Sequence, residues 1–219
     1  MKLIDLSHTI EDGMITYKGL PAPLICDHLS REQSRQIYAE GTEFQIGKIT
    51  MVSNTGTYID APFHRFADGV DIAGLSLSSL VSLETVVVDA TDVSCEISAE
   101  MFEHVDVSNK AVLVHTDWSR HWRTDRYFEN HPFLTAAAAE YLKRASAKLV
   151  GIDSYNIDDI SGGYRPVHTV LLGAGIPIVE HLRGLEQLPA SGARFTAVPP
   201  KVNGMGTFPV RAFASLAEK

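Results

Sequence analysis

Ser53-Asn54-Thr55-Gly56-Thr57-Tyr58-Ile59-Asp60-Ala61-Pro62-Phe63-His64 is the stretch on which the reading of this chain turns. Between positions 54 and 64 it gathers a carboxamide, a phenol, a carboxylate and an imidazole. Gly56 lets the backbone turn closely, and Pro62 ends regular pairing just past the acid. The preceding Lys48-Ile49-Thr50-Met51-Val52 is β-prone, and the chain breaks afterwards at Gly69 and Gly74. A polar cluster at the end of an apolar strand is a usual way to present site residues on a rigid scaffold. The same residues also read as a turn with an Asp-based cap and a surface histidine, and spacing alone does not separate the two.

Working outward, buried-strand patterns recur. Residues 3 to 8 read as a first strand, and Gly13 to Pro23 as a loop marked by its breakers. Residues 24 to 41 are polar and read as a solvated excursion. Phe44 to Val52 returns to strand character and feeds the central stretch. Phe66 to Leu80 reads as a loop with a short helix. Thr85–Asp89, Ala111–Thr116 and Leu149–Asp153 are apolar runs expected as core strands. A helix is expected from Ser98 to Phe102, with Ser98 as its cap. A longer one is expected from Thr135 to Lys148, with Thr135 as N-cap and four alanines following. Strand, helix and strand in succession suggest a βαβ unit. The aromatic loop Asp117-Trp118-Ser119-Arg120-His121-Trp122 is a candidate pocket edge, whereas His115, His121 and His131 have no ligand-like spacing.

The second half of the site lies downstream. Val167 to Gly173 reads as a short helix and Ile176 to Glu180 as a strand leaving its closing turn. A helix of ~7 residues climbs about 10 Å, and a strand of ~4 residues returns about 13 Å. His168 and Glu180 are therefore expected side by side.

The central stretch resembles the signature of the cyclase family, metal-dependent hydrolases that include bacterial kynurenine formamidase and isatin hydrolase. That signature reads H-x-G-T-H-x-D-x-P-x-H. Gly56, Thr57, Asp60, Pro62 and His64 match it, while Asn54 and Tyr58 stand where the family has two metal-ligating histidines. The opening Asp5-Leu6-Ser7-His8, the His168 and Glu180 pair, and the proline- and glycine-rich tail from Ala193 to Phe213, read as a closing strand pair, extend the resemblance from Asp5 to Arg211. It implies an α/β domain with a mixed sheet, of the swivelling β/β/α type, spanning 1–219 as one domain. It implies metal ligation by Asp60, His168 and Glu180, His64 as proton shuttle, and Tyr17 and Trp118 as substrate contacts.

Asp60, His168 and Glu180 form a mixed N/O set suited to Zn²⁺ or Mn²⁺. With Asn54 and Tyr58 in place of histidines, the site reads as a substituted variant with three outcomes open. One ion stays on Asp60, His168 and Glu180 with Asn54 as a weak fourth ligand. Tyr58 donates a hydrogen bond to substrate or oxyanion. Or the metal is gone and Tyr58, His64, Asp60 and Glu180 do acid/base work alone. The expected activity is hydrolysis of a small amide, lactam or lactone. A metal-independent cyclase, dehydratase or isomerase and a catalytically silent binding protein are the alternatives.

Composition bounds the rest. The 219 residues are 45% hydrophobic and 21% charged, ordinary for a globular domain. A net charge of −8 argues against nucleic-acid binding, which rests on neutralising phosphates. No run approaches the ~20 apolar residues of a membrane span, and Met1 to Asp5 opens no signal-like core. Two cysteines, Cys26 and Cys95, give no disulfide framework and suggest a reducing, cytoplasmic setting. A homo-oligomer, dimer or tetramer, is expected with a small-molecule substrate. Gly173-Ala174-Gly175 lacks the third glycine of a dinucleotide fingerprint, and neither a Gly-x-Ser-x-Gly elbow nor a Walker loop is present.

Overall fold

The computed structural model describes residues 1–217. Its strands are β1 (Lys2–Asp5), β2 (Leu24–Leu29), β3 (Ile46–Thr50), β4 (Tyr58–Asp60), β5 (Leu83–Asp89), β6 (Glu96–Ile97), β7 (Ala111–His115), β8 (Phe133–Leu134), β9 (Leu149–Ile152), β10 (Ile178–Glu180), β11 (Ser191–Thr196), β12 (Thr207–Pro209) and β13 (Phe213–Leu216). The α-helices are α1 (Arg31–Ser34), α2 (Ala136–Arg144) and α3 (Pro166–Gly173). Nine strands form one mixed sheet in the order β1-β13-β11-β5-β7-β9-β10-β4-β12. The centre, β5-β7-β9-β10, is parallel; every other pairing in that sheet is antiparallel.

Both faces of the centre are covered, so its strands read as unbroken apolar runs. On β7, Val112 and Val114 face one layer while Ala111 and Leu113 face the other. The first layer is closed by α2 and α3. Thr135 caps α2, its hydroxyl accepting from the Ala138 N–H at 3.2 Å. The helix then buries Ala138, Ala139 and Leu142, and a fully buried leucine contributes about 1.5–3 kcal/mol. Pro166 occupies the first turn of α3, where no hydrogen-bond donor is needed.

The second layer is closed by the sheet itself. Ile4 and Leu6 at the β1 end share a cluster with Ile59 of β4 and Ala61 just after it. Backbone bonds secure the closure: Leu6 N to Ala212 O at 2.9 Å and Arg183 N to Leu6 O at 3.1 Å. The sheet therefore curls towards a half-barrel with helices outside it, the α/β architecture expected from the resemblance.

Some expectations are corrected. Residues 44–52 do not lead into the main sheet. Their strand β3 pairs with β2 in a separate two-stranded ribbon, Ile25 opposite Ile49, and every residue of β3 is exposed. Branched residues favour extended backbone wherever a partner strand lies, so composition could not choose the partner. Most of residues 24–41 are exposed, as expected of a solvated run, yet they hold β2 and α1 and bury Ser34. Residues 98–102 make only a 3₁₀ turn, and Ser98 forms no side-chain cap. Within 66–80 two 3₁₀ turns replace the short helix. The tail contributes three strands, with β12 on the edge opposite β13's neighbour β1.

Candidate metal centre

Strand register brings the carboxylates together. β4 and β10 are antiparallel neighbours with Tyr58 opposite Glu180 and Asp60 opposite Ile178. Residues two apart on a strand share a face. Tyr58, Asp60, Ile178 and Glu180 thus project to one side, and Ile178 packs in the layer that α3 covers. His168, in the first turn of α3, comes down onto the two acids. Its Nε2 lies 3.7 Å from Asp60 Oδ2 and 3.8 Å from Glu180 Oε1. One ligating atom from each residue falls within 4.8 Å of the others, and all three residues are buried.

Each ligand but one is held from behind. Asp158 Oδ2 accepts from His168 Nδ1 at 2.6 Å and from the His168 backbone N–H at 3.0 Å. With Nδ1 committed there, Nε2 faces the acids. Glu180 Oε2 accepts from the Tyr58 hydroxyl at 2.6 Å, and Oε1 from the Ile157 N–H at 2.7 Å. Asp60 is fully buried, yet neither of its oxygens has a hydrogen-bond partner. An ionised carboxylate in that position is costly unless a cation meets it. The donor set of one imidazole nitrogen and carboxylate oxygens fits a divalent ion such as Zn²⁺ or Mn²⁺.

The electrostatics follow. Burial disfavours the His168 imidazolium, but Asp158, Asp60 and Glu180 together outweigh it and push the pKa up to about 10. Burial raises Glu180 to about 7, with His168 opposing and Asp60 adding. Burial, then the charges of Glu180 and Asp60, drive the Tyr58 phenol well above its ordinary value. Tyr58 is therefore a neutral donor that orients Glu180.

This arrangement corrects one reading of the sequence. The centre is not the substituted variant that Asn54 and Tyr58 suggest. Asp60, His168 and Glu180 form a triad that carries its own histidine, and neither substituted position is needed to complete it. The substituted motif positions overstate the loss because the triad takes its histidine from α3, at the position the fold-back spacing sets beside Glu180.

The other sequence candidates fall around the triad. Tyr17, Asn54, Tyr58, His64, His168 and Glu180 all line one cavity of ≈ 280 Å³, with Asp60 beneath it. His64 ends the 3₁₀ turn Pro62–His64, its Nε2 4.0 Å from Asp60 Oδ1 and its side chain 38% exposed. It thus reaches both the triad and solvent. Asn54 Oδ1 accepts from the Thr207 hydroxyl at 3.1 Å and the Ser53 hydroxyl at 3.3 Å. Tyr17 stacks on Tyr155 at 4.7 Å. Trp118 does not line the cavity. It is buried with Tyr127 and Tyr155, and its indole N–H donates to Tyr127 O at 3.0 Å. Sequence reasoning missed Asp158, Asn156, Leu20, Arg65 and Arg165. The strict Asp158 contacts depend on the loop after β9, for which no local pattern gives a signal.

Comparison with known proteins identifies the family and the fold. The Cyclase family model, described as "Putative cyclase", matches residues 4–159. A kynurenine formamidase of Erythrobacter litoralis is 31% identical over 165 residues, 74% of this chain and 73% of that one. A kynurenine formamidase of Geobacillus thermodenitrificans is 29% identical over 212 residues, 95% of each chain. Isatin hydrolase A from Labrenzia aggregata, solved with benzyl benzoate, superposes with a TM-score of 0.84 at 24% identity, covering 99% of this chain and 94% of that one. That structural likeness establishes the fold. With a family model matched over most of its length and a relative above 30% identity, this chain belongs to the cyclase family.

Proposed function

We propose that the chain is a metal-dependent hydrolase of a small amide, lactam or lactone, using one Zn²⁺ or Mn²⁺ and working as a homo-oligomer. The arylformamidase and isatin types of substrate are the nearest models, as the names of its relatives suggest. One observation carries the reading: a fully buried Asp60 carboxylate without a hydrogen-bond partner, facing His168 and Glu180 at the floor of a small-molecule cavity.

Asp60, His168 and Glu180 would hold a divalent ion, which would supply an acidified water and a Lewis acid for the scissile carbonyl. The chain's own residues do the rest. Asp158 fixes the His168 tautomer, and Tyr58 fixes the Glu180 carboxylate, so the ligands are set before substrate arrives. His64, beside Asp60 and open to solvent, takes the proton of the attacking water and returns it to the departing nitrogen or oxygen. Tyr17 and Leu20 wall the cavity and displace water around the substrate. Tyr58 is better suited to holding Glu180 than to acting as the working acid, since its hydrogen is committed there.

The test is a pair of variants assayed on formanilide and a small lactone. His64→Ala should lower kcat by about 10²–10⁴-fold while leaving the metal in place. Asp60→Asn should lose both metal and turnover. Full turnover by the chelated protein would refute the reading.

A further inference from the structure

The cavity mouth carries two arginines that hydrolysis itself leaves without a task. Arg65 follows His64 directly, Arg165 stands just before α3, and both line the cavity. They are tied through one side chain. Arg65 Nε donates to Thr169 Oγ1 at 3.1 Å, and the Thr169 hydroxyl donates to the Arg165 carbonyl at 2.7 Å. Arg165 is fixed further, its Nη1 donating to the carbonyls of Asp159, Gly162 and Tyr164 at 3.1, 2.7 and 2.7 Å. Its guanidinium thus gathers the 159–165 loop around itself and also faces the Tyr17 phenol.

Neither guanidinium meets a carboxylate. Among the described residues the arginine–carboxylate pairs are Arg35–Glu43, Arg120–Asp117, Arg123–Glu11 and Arg211–Asp5. Arg165 feels the Asp159 carboxylate through space, but two guanidinium groups without a salt-bridge partner at one cavity stand out on a chain of net charge −8. A divalent ion on the floor would be balanced by Asp60 and Glu180, leaving two arginines against the one further carboxylate of Asp158 behind His168. Arg65, whose guanidinium also lies over the Phe66 ring at 5.4 Å, donates through Nε alone, and Arg165 uses Nη1 on backbone carbonyls and bonds the Tyr17 phenol, so the remaining N–H groups can still meet a carboxylate.

We infer that Arg65 and Arg165 recognise a carboxylate on the substrate, so that the preferred substrate is a small amide, lactam or lactone bearing one carboxylate. This rests on the hydrolase reading above and adds its specificity. Arg65 adjoins the proton-handling His64, and Thr169 adjoins the ligand His168, so the carboxylate sits close to the scissile carbonyl. A cavity of ≈ 280 Å³, at the small end for ligand sites, suits a single ring with both groups on it.

The test uses the full-length, metal-loaded protein and two matched pairs of probes. Binding is measured calorimetrically with anthranilate and its neutral isostere 2-aminobenzamide. Turnover is measured with 2-formamidobenzoate and formanilide. The wild type should bind anthranilate at least about tenfold more tightly than the amide, the margin expected of a charge-assisted hydrogen bond. Arg65→Gln and Arg165→Gln should each bring that ratio close to unity and raise KM for 2-formamidobenzoate more than they lower kcat, with metal content unchanged. Arg165→Lys, which keeps the charge and loses the fork, should lose part of the ratio. An equal affinity for both probes in the wild type would overturn the inference. So would a preference that survives in both glutamine variants, because the carboxylate would then be bound by the metal centre. Carboxylate-selective binding without turnover of either formamide would leave the arginine site standing and sink the hydrolase reading instead.

Discussion

Asp158 and Tyr58 each hold a ligand of the triad through a 2.6 Å hydrogen bond, one on His168 and one on Glu180. Partners of this kind are worth 10–100-fold in metal affinity. Tyr58→Phe and Asp158→Asn should therefore each weaken Zn²⁺ binding by roughly 10–100-fold in a chelator-competition titration, without unfolding the protein. Unchanged affinity in both would mean that the ligands are positioned by packing alone. Proton linkage adds a signed expectation. Without metal, and against burial, neighbouring carboxylates push His168 up to about 10, and burial pushes Glu180 up to about 7, so both bind protons near neutrality that a metal ion must displace. Metal affinity should rise with pH from 6 towards 9, and calorimetry in buffers of different ionisation enthalpy should record net proton release on binding. A buffer-independent enthalpy would contradict this. Asp60, His168 and Glu180 were legible in the sequence because a motif and a fold-back spacing pointed at them. Asp158 and the arginines were not, because their roles arise from contacts between a loop and a helix that no local pattern encodes.

The elements that carry these residues are short and depend on close backbone approach. A Cβ added at Gly206 would lie 2.5 Å from His64 Cα and 2.6 Å from His64 N, on the turn that aims the shuttle histidine. Gly206 also accepts from the Ala61 N–H at 2.8 Å. Gly206→Ala should destabilise the protein by about 1–3 kcal/mol through overpacking and should lower kcat with metal content retained. A variant with wild-type kcat would show that the His64 turn tolerates displacement. The core strands β5, β7 and β9 and the helices α2 and α3 were readable because apolar run length and capping are local properties. The strand Tyr58–Asp60 that bears the motif was obscured by the more β-prone segment before it. Residues 46–50 satisfy the same extended backbone by pairing with β2, outside the sheet.

At the scale of the molecule, a sheet that curls on itself leaves the β2–β3 ribbon without cover. Leu24, Ile25, Ile46 and Ile49 are all exposed on it. A lone two-stranded ribbon is marginal in water, which supports the proposed homo-oligomer with this ribbon in the contact. Ile25→Asp combined with Ile49→Asp should shift the light-scattering mass towards that of one chain. An unchanged mass would place any self-association elsewhere. No helix among the described residues is long and apolar enough to cross a membrane.

The decisive measurement is the Zn and Mn content of protein purified without chelator, determined by plasma mass spectrometry for wild type and Asp60→Asn side by side. The triad predicts about one ion per wild-type chain and none in the variant, with the variant still folded. A wild-type chain that stays empty after incubation with excess Zn²⁺ and Mn²⁺, or a variant that retains the ion, would contradict the metal centre and the hydrolytic function built on it.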